Sequence, residues 1–277
     1  MNLRDSWGMT ALAWAVLRGD EVKAKALLQA GARVDICDWA GLSPLFQAIR
    51  GENPTCVNLI MEAGADVTLK TQYGSNVLHF AAHVPDGLPI IKRLIAAGVD
   101  IDEQDPWGGR PLLYAINMNN IRTVELLLDK GSNIDNVDAD GDSAIYYAII
   151  SCSHNVLQLL LQRGGSCTTV NRNGNTILHF SALYADLKTI EILLTTNLHG
   201  IDAYARNNAG KIAMQLVYER KEKPEGFIEA FQALLFEIRN RNDSMSGDHQ
   251  SGRVVEVEDD SGPEDAFADA VEEQVED

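Results

Sequence analysis

The chain has 277 residues, 45% of them hydrophobic and 23% charged, with a formal net charge of −17. No apolar run is long enough to cross a bilayer, and the first residues lack the basic region, apolar core and cleavage site of a secretory leader, so neither membrane insertion nor secretion is expected. The four cysteines, Cys37, Cys56, Cys152 and Cys167, form no CxxC pair and no disulfide-dense pattern, which predicts a reduced intracellular setting, cytoplasmic or nuclear.

The charge is unevenly spread. Residues 242–277 hold 13 acids against one base, Arg253, whereas residues 1–241 hold 27 acids and 22 bases. Neither part offers a basic stripe able to neutralise phosphates, so a nucleic-acid partner is not expected.

Seven turn tetrads organise the chain. In order they are DSWG ending at Gly8, DWAG at Gly41, TQYG at Gly74, DPWG at Gly108, DADG at Gly141, NRNG at Gly174 and NNAG at Gly210. Successive glycines are 33, 33, 34, 33, 33 and 36 residues apart. An Asp that can bond its own backbone, followed by a Gly that tolerates positive φ, predicts a β-turn. A short apolar block follows each turn, as in TALAWA, SPLFQA and RPLLYA, and predicts a first helix. Thr10, Ser43, Ser143 and Thr176 stand where they can cap it, and Pro44 and Pro111 fall in its first turn, where a missing N–H does no harm. A second apolar block, carrying Leu126 and Leu127 in the fourth unit, predicts a second helix closed by Gly31, Gly64, Gly98, Gly131 or Gly164 in a left-handed cap. One such unit cannot bury its own faces, so a fixed period predicts a solenoid whose core comes from stacking.

Two irregularities break the period. In the third unit, HVPDGLPIIKRL adds one residue and two prolines between the helices. After the sixth, TTNLHGIDAYARNNAG adds three residues, and a final segment places Phe227, Phe231, Leu234 and Ile238 on one face, as a terminal cap requires. The first unit, with Trp14 and Val16 in its first helix, has the character of an internal one, so an array continuing upstream in a longer parent chain is expected.

These units resemble the ankyrin repeat. The signature residues are Leu78-His79 and Leu178-His179, Pro44 and Pro111 at the head of the first helix, and the Leu-Leu-x-x-Gly-Ala-like close of the second. The Trp beside the turn glycine is similar to ankyrin arrays of fungal type. The resemblance covers about residues 5–240 and implies an all-α ankyrin-repeat solenoid of helix-turn-helix units with β-hairpin finger loops. Six repeats would span 5–206, a degenerate seventh and cap 207–241, and a disordered acidic tail 242–277. The resemblance also implies that His79 and His179 bridge neighbouring hairpins.

No motif of nucleotide binding, zinc proteolysis or serine hydrolysis is present, and His83, His154 and His199 have no Cys or carboxylate at ligand spacing. No catalytic residue, cofactor, metal or small-molecule substrate is expected. Asp35, Asp102, Asp135 and Asp202 recur with the repeat and are assigned to its hairpins.

The fingertips point to a partner instead. Turn positions two, three and five read Ser6, Trp7, Met9; Trp39, Ala40, Leu42; Gln72, Tyr73, Ser75; and Pro106, Trp107, Gly109. Three of the four Trp and a Tyr thus lie on the first four fingers, while the fifth and sixth are polar. Exposed aromatics mark interfaces, yet each ring could equally brace the next finger, and one ring can do both. On the resemblance, the fingertips and the exposed side of the first helix form the concave binding surface. The candidate protein-binding residues are Trp7, Met9, Trp39, Leu42, Tyr73 and Trp107 on the fingers, with Arg18, Arg50, His83, Asn117 and Met118 on the helices; Leu17 stands beside them.

The acidic tail has too little apolar content to fold. Within it, Val254, Val255 and Val257 followed by acids look like a SUMO-interacting motif, Ser261 resembles an acid-directed kinase site, and Phe267, Val271 and Val275 repeat at four-residue spacing. The expected function is non-catalytic binding of a protein by a scaffold or adaptor. The rival is a regulatory ankyrin segment of a larger protein, such as a fungal nucleotide-binding sensor.

Overall fold

Each apolar block after a turn glycine forms two turns of helix, and each second block forms a slightly longer one. In the computed structural model, which describes residues 2–85 and 87–246, they pair in chain order. The pairs are α1 (Ala11–Leu17) with α2 (Glu21–Gln29), α3 (Pro44–Arg50) with α4 (Pro54–Glu62), and α5 (Val77–His83) with α6 (Leu88–Ala96). Then come α7 (Pro111–Asn117) with α8 (Ile121–Asp129), α9 (Ala144–Ile150) with α10 (His154–Gln162), α11 (Ile177–Tyr184) with α12 (Leu187–Thr195), and α13 (Ala213–Glu219) before α14 (Phe227–Ser246). The chain divides into a unit of Met1–Arg241 and a second of Asn242–Asp277. The sequence expectations at Val254, Val255 and Val257, at Ser261 and at Phe267, Val271 and Val275 lie outside the described residues.

Helices this short are marginal alone, so packing must hold them. The first helices stack on one another from α1 to α13 as one layer, and the second helices stack from α2 to α12 as another. Between them runs a continuous core of Leu12, Leu45, Phe46, Leu78, Ile91, Leu127, Ile149, Leu160 and their counterparts, all buried. Phe227, Phe231, Leu234 and Ile238 of α14 are also buried, which closes the array's last core face.

Local chemistry sets the helix ends. Thr10 accepts from Ala13 N–H at 3.1 Å and Ser143 from Tyr146 N–H at 3.4 Å. Pro44 and Pro111 open α3 and α7. Ser43 departs from expectation: its hydroxyl caps nothing and is buried without a partner. Thr176 turns to its own helix, its N–H donating to His179 Nδ1 at 3.2 Å. The five glycines after the second helices take φ between 81° and 95°, the left-handed stop that the sequence predicts.

The fingers differ from the expected β-hairpins. Among the described residues there is no strand, only an isolated bridge between Val137 and Ser143. Each finger is closed within itself, the first residue's N–H donating to the fifth residue's carbonyl, as in Asp38 to Leu42 and Asn171 to Asn175, both 3.0 Å. Neighbouring fingers share one backbone bond, from the second residue's N–H to the third residue's carbonyl one finger earlier. It joins Trp39 to Trp7 (3.1 Å), Gln72 to Ala40 (3.3 Å), Ala139 to Trp107 (2.8 Å), Arg172 to Asp140 (2.8 Å) and Asn208 to Asn173 (2.9 Å). A single bond per junction is too little to make a ladder. Between the third and fourth fingers even that bond is missing, because Pro106 occupies the donor position and has no N–H.

Candidate functional site

The first residue of each finger governs how its tip is held. Asp5, Asp38, Asp105 and Asp138 each use Oδ1 to accept two backbone N–H groups of their own turn. Each uses Oδ2 to accept from a side chain nine residues on, in the first helix: Trp14 Nε1 (2.7 Å), Gln47 Nε2 (2.7 Å), Tyr114 OH (2.6 Å) and Tyr147 OH (2.7 Å). The indole of Trp14 is the largest influence holding the Asp5 carboxyl below the usual carboxylate range. Where the finger starts with Thr71, Asn171 or Asn207, the residue nine on is Phe80, Phe180 or Leu216, none of which can donate. Acid and donor therefore come and go together, a pairing that the sequence reading missed although both residues were in view.

A second set of bonds ties the fourth, sixth and seventh fingers to the repeat before each. His79 Nε2 donates to Gly109 O at 3.1 Å and His179 Nε2 to Lys211 O at 2.9 Å. In both, a backbone N–H of the same helix start, from Asn76 and Thr176, points at Nδ1, at 3.1 and 3.2 Å. Burial is the main cause lowering both imidazole pKa values. Tyr146 holds the same helix position in the fifth repeat, and its hydroxyl donates to Asn175 O at 3.3 Å and to Thr169 O. The recurrent acids Asp35 and Asp135 act similarly at the far hairpins, accepting Asp66 N–H (3.0 Å) and Ser166 N–H (2.8 Å) of the next repeat.

The candidate binding residues fall into three groups. Trp7, Trp39, Tyr73 and Trp107 are 65%, 62%, 57% and 59% exposed, and Arg18, Arg50, His83, Asn117 and Met118 are exposed as well. Met9 and Leu42 are not on the open surface: they are 6% and 8% exposed. The fifth finger residue closes the turn with its carbonyl and leads into the first helix, so its side chain enters the core.

The exposed rings are not equivalent. Trp39 Nε1 donates to Ser6 O at 3.2 Å, its ring covers Gly8 so closely that a Cβ there would lie 2.8 Å from it, and Arg4 Cζ sits 5.1 Å from its centroid. Trp7 meets Trp14 edge-on at 5.8 Å, and Arg18 Cζ lies 5.1 Å from the Trp14 ring. Tyr73 and Trp107 pair at 6.2 Å and line a groove of about 620 Å³ across repeats two to four. Its walls include Leu42, Arg50, Glu52, Phe80, His83 and Tyr114. Tyr114 takes His79 and His83 edge-on at 5.2 and 5.0 Å, and desolvation lowers the pKa of His83. Of the candidates, then, the groove gathers Tyr73, Trp107, Arg50, His83 and the partly covered Leu42, while the others lie elsewhere on the array.

A family model described as "Ankyrin repeats (3 copies)" matches residues 1–71 and 78–171, more than half of the chain. The chain belongs to the ankyrin-repeat family. Among curated ankyrin relatives, the mouse B-cell lymphoma 3 protein homolog is 32% identical over 116 residues, which is 42% of this chain and 26% of that protein. The human SH3 and multiple ankyrin repeat domains protein 2 is 32% identical over 132 residues, 46% of this chain and 7% of that protein. The chain thus spans about a quarter or less of the length of these relatives. Two solved ankyrin domains share the fold. That of Bcl-3 has a TM-score of 0.64 at 24% identity, covering 81% of this chain and 99% of that one. That of human ASB11 has a TM-score of 0.68 at 23% identity, covering 83% and 98%.

The ankyrin-repeat fold is a non-catalytic interaction module. Among the described residues no cluster of His, Cys, Asp and Glu is placed to hold a metal ion, and no helix is long and apolar enough to cross a membrane.

Proposed function

We propose that this ankyrin array is a scaffold or adaptor that binds a protein partner on the face formed by its fingertips and first helices, with repeats one to four supplying the anchors. The observation that carries this reading is the run of four fingertip aromatics, each more than half exposed on a finger closed by its own backbone bond. A ring held by its own repeat meets a partner with little loss of conformational freedom, which is where aromatic anchors gain affinity. Affinity capture with the full chain beside a Trp39→Ala/Tyr73→Ala/Trp107→Ala variant, read by mass spectrometry, tests it. Proteins enriched by the wild type and lost from a folded variant support the reading; identical enrichment refutes it.

A second reading, a regulatory ankyrin segment within a larger protein, has the lengths of the curated relatives in its favour, since the matched region is a minor part of each. The length of the native transcript decides between a free-standing adaptor and such a segment.

A further inference from the structure

The aromatic run divides by what already covers its rings. In repeats one and two the chain supplies its own cations: Arg4 over Trp39 and Arg18 over Trp14, both at 5.1 Å from the ring centroid. Tyr73, Trp107 and Tyr114 line the groove of repeats two to four, and among the described residues no cation lies over any of them.

The groove is also short of positive charge and rich in acceptors. Asp105, 5% exposed, lies outside the lining but is bonded to two lining residues: Oδ1 takes Trp107 and Gly109 N–H and Oδ2 takes the Tyr114 hydroxyl. All three donors are neutral, and among the described residues no ion pair compensates this carboxylate. Glu52 is exposed on the wall. Pro106 deprives Tyr73 O of the finger-to-finger donor that its counterparts receive, which leaves one more carbonyl acceptor beside the rings. Burial lowers the pKa of His83, which favours its neutral form. Among the described residues Arg50 is the one Lys or Arg lining the groove, and it is engaged with Gln47 Oε1 at 3.3 Å, whose amide nitrogen donates in turn to Asp38.

We propose that the groove lined by Tyr73, Trp107 and Tyr114 receives a cationic side chain, Lys or Arg, from a basic segment of the protein partner; this rests on the protein-binding reading above. Electron-rich ring faces and the exposed Glu52 carboxylate attract a cation where a neutral isostere gains only contact. The Tyr114 hydroxyl, donating to Asp105, pushes electron density into its ring and strengthens that preference.

The test uses the full chain with ¹⁵N-labelled tryptophan and follows the indole N–H signals in titrations at constant ionic strength. The probes are tetramethylammonium chloride and its neutral isostere, neopentyl alcohol. The cation is expected to shift the Trp107 signal saturably, with about fivefold or greater preference over the alcohol. The Trp7 and Trp39 signals should stay in place. Glu52→Gln, an exposed change that leaves the core intact, should weaken the cation severalfold and leave the alcohol unchanged, and Tyr73→Leu should weaken both. Equal affinity for the two probes, or parallel shifts at Trp7, Trp39 and Trp107, overturns the proposal. Equal affinity together with loss of captured partner in the triple alanine variant removes the cation and leaves protein binding standing. A cation preference with no partner captured leaves the groove chemistry standing and removes the protein-binding reading.

Discussion

Tyr114 OH donates to Asp105 Oδ2 at 2.6 Å across nine residues, and this bond holds the fourth finger against its own first helix. Removing the hydroxyl leaves a buried carboxylate one donor short, which costs about 1–3 kcal/mol. Tyr114→Phe should therefore lose that much in urea denaturation. Adding Asp105→Thr copies the Thr71/Phe80 arrangement of the third finger, where Thr71 Oγ1 still accepts Tyr73 and Ser75 N–H at 3.2 and 3.3 Å. The double variant should recover most of the loss. If its loss equals the sum of the two single losses, the pair is not coupled.

The same hydroxyl makes stability depend on alkaline pH. Desolvation, then the bond to Asp105, pushes the Tyr114 pKa up to about 12, and desolvation pushes Tyr146 to about 12 as well. A raised folded-state pKa means that the unfolded chain releases its proton first, near pH 10. The stabilisation is thus complete below pH 10 and lost between pH 10 and 12. Equilibrium denaturation across that window should show falling stability, with a shallower fall in Tyr114→Phe.

On the acid side the bridging histidines set the sign. Burial lowers the pKa of His79 and His179 in the folded chain, so the unfolded chain takes up protons first as pH falls below about 6.5. Stability contributed by the neutral rings is present above that value and lost below it. A His79→Gln/His179→Gln variant should be less stable at pH 7.5 and less sensitive to pH between 7 and 5. A variant as acid-sensitive as the wild type would place the titration elsewhere.

How much of this was legible in the sequence depends on the range of the interaction. The helix pairs, the left-handed glycines and the α14 cap follow from local chemistry and periodicity, and they appear where those rules put them. Met9 and Leu42 did not follow, because they share a finger with the exposed Trp7 and Trp39, while the closure of the turn carries the fifth residue inward. The Asp–donor pairing was legible in principle. Comparing Asp105/Tyr114 with Thr71/Phe80 reveals it, but only once the repeats are aligned and the nine-residue offset is examined. The groove was not legible, since it arises where Glu52, Tyr73 and Tyr114 come together from three different repeats.

The glycines separate two reasons for the same residue. Gly64 has φ of 85°, and a Cβ added there would meet nothing within 4 Å, whereas Gly41 has φ of 78° and would place that carbon 2.7 Å from Gln72 N. Gly64→Ala should cost about 1–2 kcal/mol from the backbone alone. Gly41→Ala carries the same backbone cost and also collides with the next finger, so it should lower stability further and disrupt the Gln72 to Ala40 bond. Comparable losses for both in thermal unfolding would mean that the fingers separate easily.

Trp39 and Trp107 are almost equally exposed, yet they differ in what they hold, and this separates strut from anchor. Trp39 covers Gly8 and donates to Ser6 O, so Trp39→Ala removes a finger-to-finger hydrogen bond as well as ring contact. Together these should cost about 1–2 kcal/mol of stability. Trp107 touches the Tyr73 ring and the groove, with no hydrogen bond from its indole among the described residues, so Trp107→Ala should cost less than about 1 kcal/mol. Partner capture should follow the opposite order, with the larger loss in Trp107→Ala. Melting curves and quantitative capture on the two single variants check this, and a larger melting shift in Trp107→Ala with capture intact would make Trp107 the strut.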